Sequence, residues 1–389
     1  MLAEPINVNG LELKNRMVKA SMVENMATEM GEVTDQLIDL YRRFASGGSG
    51  LLVTGGAYVQ KNGRSVKYLI GAHDDKLIPG LRKLTDAVHE TDSKIILQIY
   101  HCGRQTMPEL VDGDVIGPSP IKDSLTGIVP RQMGEEEIEK VIESFGLSAR
   151  RARDAGFDGI EVMAGHGYLI NQFLSGRTNR RTDHWGGKLE NRAKFLFRIV
   201  ERVRNRIGKD FPLFVKLNTE DQLKRGFTVE ESSWVANRLA GLGVDAIEFT
   251  GGTFESALNI ARGDIPEDEI LENYSGMRRL KIKLIIRAMR KKFSFSEAYF
   301  LGNVKRIRPG LNIPLILVGG LRSPDLIERI LEEGHADMVA MGRPLIREPD
   351  LPNRFLKGYR NSPMCINCNR CFIKIGQAKS LRCYAKKRD

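Results

Sequence analysis

The sequence predicts a single (β/α)₈ barrel, an expectation carried by two patterns and one absence. Eight short β-branched or apolar runs recur along the 389 residues. Charge-rich segments with apolar residues at helical spacing lie between them, the alternation of a parallel sheet built from βα units. No run is followed by a GxGxxG turn with an acidic residue about 20 positions on, which a doubly wound nucleotide-binding sheet would want.

The eight runs are Arg16 to Met22, Gly50 to Thr54, Lys94 to Ile99, Gly159 to Met163, Leu213 to Leu217, Ala246 to Thr250, Pro314 to Val318 and Met338 to Met341. Helical spacing marks Thr34 to Ser46, Glu135 to Ala155, Asn191 to Ile207, Thr228 to Leu242 and Pro324 to Glu333. The stretch from Phe254 to Pro309 exceeds one βα connection and is expected over the barrel mouth, where insertions in this fold gather. The expected division is a barrel over residues 1–355 and a cysteine-rich tail, 356–389, packed on it.

Hydrophobic residues at 41% and charged residues at 28% are the proportions of a soluble globular protein. No stretch approaches the roughly 18 apolar residues of a spanning helix, so neither a span nor a membrane partner is expected. The N-terminal MLAEPINVNGLELKNR has no export or lipidation pattern, which makes the cytoplasm the expected compartment. A net charge of +11 raises the question of nucleic acid. The basic runs, Arg150 to Arg153, Arg290 to Lys292 and Lys386 to Arg388, are scattered and lack interleaved aromatics, so they read as solvated surface.

Barrel active sites form at the C-terminal ends of the strands, and a phosphate commonly sits in the loops after strands seven and eight. Those loops read GGLRSPD and MGRP. Gly319, Gly320 and Gly342 let backbone N–H groups approach an anion, and Arg343 adds a planar fork of donors. One Gly-Gly turn by itself reads as a turn; both loops at the right strands point to a phosphate site. After the third strand, LQIYHCGRQ places Gln98 and His101 at the rim. After the fourth, AGHGYLINQ sets His166 two residues from Tyr168, with Asn171 and Gln172 following.

HGYLINQFLS, TNRRTDHWGGKLENR, GGLRSPD and MGRP, in that order, resemble the old yellow enzyme family, and the likeness runs from LKNRMVKASM to ADMVAMGRPLIREPDL. It implies a TIM barrel with FMN at its mouth. Ala20, Ser21 and Met22 would line the flavin, Gly55 would lie near its ring, Gln98 on its pyrimidine edge and Lys216 at the N1/C2 carbonyl side, with Gly320, Gly342 and Arg343 on the phosphate. Tyr168 stands at the family's proton-donor position. Three positions depart from the pattern: Met163 replaces the first member of a paired substrate site, Lys216 stands where Arg is usual, and Val23 stands where Thr or Cys is common. Lys keeps the positive charge but loses the planar fork.

Four of the five cysteines, Cys365, Cys368, Cys371 and Cys383, lie in the last 25 residues with intervals of two, two and eleven residues. Such crowding reads as metal ligation or redox chemistry before structural disulfides. The tail resembles the subgroup containing 2,4-dienoyl-CoA reductase and trimethylamine dehydrogenase, which implies a [4Fe-4S] cluster; Zn²⁺ or no metal are the alternatives. The activity implied is an NAD(P)H-dependent, FMN-dependent ene-reductase, in which His166 binds the carbonyl of a small-molecule substrate and Tyr168 supplies a proton. Two alternatives stand beside it: a dehydrogenase sending electrons through the cluster to a partner subunit, and a non-catalytic flavin electron-transfer module. A homo-oligomer is compatible with each.

Overall fold

The computed structural model describes residues 1–272 and 274–385, with only the backbone of 257, 258, 291 and 292; the basic run at 386–388 lies outside them. Eight parallel strands form the barrel: β1 (Met17–Lys19), β2 (Leu51–Val53), β3 (Lys94–Tyr100), β4 (Gly159–Ala164), β5 (Leu213–Asn218), β6 (Ala246–Thr250), β7 (Leu315–Val318) and β8 (Met338–Met341). Their order round the barrel is their order in the chain, and pairing of Val339 with Met17 and Ala340 with Val18 closes the ring. All eight predicted runs fall on these strands. The first shortens because the chain leaves the ladder at Ala20–Met22 to run along the mouth.

The outer helices are α1 (Asp35–Ser46), α2 (Ile78–His89), α3 (Glu135–Asp154), α4 (Leu189–Ile207), α5 (Val229–Gly241), α6 (Leu301–Ile307), α7 (Pro324–Glu332) and α8 (Leu351–Leu356). Their ends follow local chemistry. Thr34 accepts from the Leu37 N–H to start α1, Thr228 and Glu231 form a capping box on α5, and Gly208, at φ 80°, ends α4. The sequence pattern does not reveal α2, α6 and α8; the last two, at seven and six residues, are too short to establish a period.

Strand alternation divides the buried residues into two sets. Ile160, Val162, Val215, Leu217, Ile247 and Phe249 face the helices. Leu51, Val53, Ile96, Phe214, Ala246, Ile316 and Met338 fill the barrel interior, and Val8, Leu11 and Leu13 of the N-terminal hairpin pack against them. Above that apolar floor the same inward positions become polar. Gln98, Glu161, Lys216 and Glu248 all lie there, fully or almost fully buried.

Two excursions rise from the C-terminal ends of the strands. Among the described residues, the expected one, between β6 and α6, lines the mouth at its two ends, through Phe254, Ile260 and Ala261 and through Tyr299 and Phe300. Its long helix, Gly276–Lys292, packs outward around a separate small core of Ile265, Leu271, Ile286 and Phe293. The other excursion, between β3 and α3, was absent from the sequence reading and supplies much of the wall, including Gln105, Thr106, Met107 and Leu125. Glu255 ties the two together. It accepts from Arg104 at 2.5 Å, Arg177 at 3.1 Å and the Ser124 hydroxyl at 2.8 Å.

Leu381 N–H donates to Glu24 O and Asn25 to Ile375 O, each at 2.8 Å, and Met364 N–H donates to Glu348 at 2.5 Å.

Candidate active site

A cavity of about 780 Å³ opens at the C-terminal ends of the strands. Gly319 and Gly320, at φ 126° and 75°, carry the chain away from β7, and Gly342 and Arg343 do so from β8; all four line one wall. These two glycines occupy backbone conformations that L side chains rarely adopt. Arg343 Nη1 is 2.5 Å from Asn369 Oδ1, which couples this wall to the tail.

The floor carries the buried charges. Lys216 on β5 pairs with Glu248 on β6 at 2.5 Å, the two standing in direct register. Gln98 Nε2 donates to Glu161 Oε2 at 2.5 Å and its Oε1 accepts from Ser21 at 2.9 Å. Burial alone would strip the proton from Lys216, yet the adjacent Glu248 and Glu161 hold its ammonium above the ordinary value. Burial and the charge of Glu248 push the Glu161 carboxyl up to about 8. One oxygen of each glutamate, Glu161 Oε1 and Glu248 Oε2, has no hydrogen-bonding partner. At neutral pH the two carboxyls therefore hold one proton between them, and with the Lys216 ammonium the three groups carry no net charge.

His166 follows β4 in the left-handed region, at φ 59°, held by its N–H to Asn218 Oδ1 at 3.0 Å. Its Nε2 lies 2.8 Å from the Thr250 hydroxyl. Burial, reinforced by Lys216, drives its pKa well below the usual range, so it is a neutral imidazole. The Tyr168 ring stacks edge-on to Tyr100, with centroids 4.9 Å apart, and lies 5.5 Å from Phe254, which stacks on Phe372 at 6.3 Å. Burial raises the Tyr168 phenol, so it keeps its proton.

Cys365, Cys368, Cys371 and Cys383 line one small second cavity beside Arg343 and Arg347, and Cys371 also faces the main one. All four are free thiols. Among the described residues no three His, Cys, Asp or Glu side chains stand in a metal-holding group. The donor set, four sulfurs around one cavity with two guanidinium groups beside it, nevertheless fits an anionic thiolate-bound centre.

The chain matches the model of the NADH:flavin oxidoreductase / NADH oxidase family over residues 1–263 and 265–362. It belongs to that family. A metal reductase of Desulforamulus reducens is 35% identical over 98% of this chain, which spans 53% of that protein. A 4,4'-dithiodibutanoate disulfide reductase of Rhodococcus erythropolis is 34% identical over 96% of this chain and 92% of its own length. Among solved structures, a 2-naphthoyl-CoA reductase superposes with a TM-score of 0.85 at 30% identity, over 98% of this chain and 56% of that one. The old yellow enzyme homologue of Zymomonas mobilis gives 0.74 at 24% identity, covering 93% of this chain and 94% of that one, and speaks for the fold alone. The chain thus spans about half the length of the metal reductase and of the naphthoyl-CoA reductase.

Within this family member, Ala20, Ser21, Met22, Gln98, His166, Tyr168, Lys216, Gly319, Gly320, Gly342 and Arg343 all border the main cavity, as do the departing Val23 and Met163. Two expected positions do not. Gly55 lies behind the wall, its N–H donating to Glu24 at 2.7 Å and Tyr41 at 3.1 Å, and Gly56 is the residue exposed to the cavity. His101 is likewise structural: it accepts from Gly103 N–H at 3.0 Å, contacts Asn62 at 3.2 Å, and burial lowers its pKa to about 3. Asn171 and Gln172 brace the loop, with Asn171 accepting from Gly167 N–H and Gln172 donating to Gly167 O, both at 2.7 Å. The sequence reading missed Glu161, Glu248, Thr250 and Gln105. Both polar atoms of the buried Gln105 amide are unpartnered, and a side chain on Gly167 would run into that amide.

Proposed function

We propose that the barrel holds FMN and acts as an NAD(P)H-dependent ene-reductase on α,β-unsaturated carbonyl or enoyl compounds. The observation that carries this reading is the meeting, on one cavity, of two glycine-lined loops with Arg343, the buried Lys216, and a neutral imidazole beside a protonated phenol. Gly319, Gly320, Gly342 and Arg343 would hold the phosphate, and Gln98, Ser21 and Lys216 the pyrimidine edge. When bound, FMN would accept hydride from NAD(P)H and return it to the β-carbon of the substrate.

The remaining steps belong to the protein. The nitrogen of His166 that does not meet Thr250 faces the task of binding the substrate carbonyl. With Met163 in place of a second polar partner, the unpartnered Gln105 amide beside Gly167 is the group available to share that oxygen. Tyr168 delivers its proton to the α-carbon, a role suited to a phenol that burial keeps protonated. The mainly apolar aromatic surroundings of Tyr100, Tyr168 and Phe254 exclude water from that transfer.

The four tail cysteines support a second element, a [4Fe-4S] cluster held by Cys365, Cys368, Cys371 and Cys383, which would supply one-electron transfer beside the flavin. The row Tyr168, Phe254, Phe372 ends next to Cys371, which favours electron exchange between the two centres, and with it the alternative of a partner subunit. Turnover of 2-cyclohexenone with NADPH under anaerobic conditions tests the first reading. In Tyr168→Phe, flavin reduction by NADPH should stay near wild type while reoxidation by the enone slows about 10²-fold. Equal impairment of both half-reactions, or no enone turnover by the wild type, defeats it.

A further inference from the structure

The long helix of the β6–α6 excursion, Gly276–Lys292, reads GMRRLKIKLIIRAMRKK, with eight Lys or Arg residues and no Asp or Glu. At about 25 Å it is long enough for two separate faces. One is spent on folding: Ile282, Ile286 and Met289 pack with Ile265, Ile270, Leu271 and Phe293. The other is not. Met277, Leu280 and Leu284 are exposed at 71%, 51% and 56% of their surface, and Ile285 beside them at 56%. At helical spacing Met277, Leu280, Leu284 and Ala288 share one stripe about 80° wide. Lys281 flanks it on one side and Arg287 on the other, both exposed and in no ion pair among the described residues.

We propose that this helix lies on an anionic phospholipid surface, its apolar stripe in the acyl boundary and its cations against the headgroups. Isolated exposed aliphatics need no explanation, but four on one helix, three of them between unpaired cations, do. Lys and Arg stems can lie along an apolar surface while their charged ends reach outward to phosphate, which is what the flanking positions allow. A protein partner is the weaker occupant, because half of the helix's cations are lysines, a residue depleted at protein interfaces, whereas each basic residue near an anionic bilayer adds attraction. No described helix is long and apolar enough to cross a membrane, and a surface contact needs none.

The helix is tied to the segment that follows the cavity-lining Ile260 and Ala261. Arg290 pairs with Asp264 at 3.3 Å and donates to Ile265 O at 3.2 Å, while Phe293 O accepts from Gly263 N–H at 3.0 Å. Ile260 and Ala261, immediately before that segment, line the main cavity. The inference stands independently of the reaction proposed above.

Sedimentation of the full-length protein with vesicles is the test. The protein should sediment with phosphatidylcholine–phosphatidylglycerol vesicles and not with phosphatidylcholine alone, and added salt should weaken it. Leu280→Glu with Leu284→Glu should reduce the bound fraction at least ~10-fold, and Lys281→Gln with Arg287→Gln by a similar factor. Both pairs are exposed and away from the cavity, so flavin content and melting temperature should match wild type. Absence of sedimentation with anionic vesicles overturns the proposal. So does undiminished binding by the Leu280→Glu, Leu284→Glu variant, or binding to soluble polyglutamate as tight as to vesicles, since a plain polycation or an acidic-protein site would behave that way.

Discussion

Lys216 and Glu248 face each other across neighbouring strands at 2.5 Å, both buried, and the second carboxylate oxygen of Glu248 is left without a partner. Glu161 completes the group and supplies a coupling. Removing the Glu248 charge lets Glu161 release its proton and take over as the counter-charge of Lys216. Glu248→Gln alone should therefore change the flavin midpoint potential little. Glu161→Gln with Glu248→Gln leaves Lys216 as a lone cation at the proposed flavin site and should raise the flavin potential by roughly 30–60 mV, about 1.5–3 kcal/mol for a two-electron couple. Anaerobic redox titration separates the two. Equal shifts in the single and double variants would contradict the sharing of one counter-charge.

The raised Glu161 carboxyl also sets a pH dependence of stability. Its folded-state pKa of about 8 lies above the unfolded value, so the folded protein holds a proton that the unfolded chain releases. Stability from this group is complete below about pH 4.5 and falls as pH rises through 8. Relative to wild type, Glu161→Gln should therefore gain melting temperature between pH 5 and 8 and level off above that. A difference that stays constant over that window would mean that Glu161 is ionised throughout.

The barrel and its glycine-lined loops were legible because strand runs and glycine turns are local signals: eight runs and two loops needed no knowledge of partners. The Lys216–Glu248–Glu161 group was not. Each of these residues sits singly in an apolar run, and only the register of β4, β5 and β6 brings them together. Gly55 and Gly56 differ by one residue, and which of them faces the cavity depends on how the chain leaves β2. Gln105 had no signal beyond being a polar residue after a strand, because its lack of a partner is a property of the folded loop. The excursion helix carries apolar residues on two faces, so its pattern points to no single direction.

Glu255 is buried against Arg104 and Arg177 and joins the two loops over the mouth. Among the groups around it, the Arg177 hydrogen bond and the Arg104 charge overcome burial and hold its carboxyl down at about 2. Glu255→Gln leaves Arg104 buried beside a neutral group and should cost about 3 kcal/mol of stability by denaturant unfolding. A loss under about 1 kcal/mol would show that Asp123, 3.8 Å from Arg104, suffices alone.

Arg343 serves the cavity and the tail at once. Arg343→Ala should weaken FMN retention by about 2 kcal/mol, in the range of charge-assisted hydrogen bonds. Asn369→Ala removes the Arg343 contact together with the donations to Ala261 O at 2.7 Å and Asp264 O at 3.1 Å, and should loosen residues after 360 to limited proteolysis while weakening FMN retention less than Arg343→Ala does. Unaltered FMN affinity in Arg343→Ala removes the phosphate assignment.

The tail cysteines separate a cluster from a set of surface thiols. Cys365, Cys368 and Cys371 lie on one short stretch, Cys383 returns to the same cavity, and Arg347 reaches its sulfur at 3.7 Å. Burial raises the Cys365 thiol and pushes Cys371 up to about 11, so in the metal-free chain these two stay protonated at neutral pH. A metal centre must displace those protons, and its assembly should fail as pH falls. Anaerobically prepared protein should contain about four iron and four acid-labile sulfide per chain, and Cys368→Ser should lose both while keeping its FMN. Zinc without sulfide in the same preparation would assign the site to a structural ion. Neither iron nor zinc, with FMN at full occupancy, would leave the flavin as the sole redox centre of this chain and remove the route through Phe254 and Phe372.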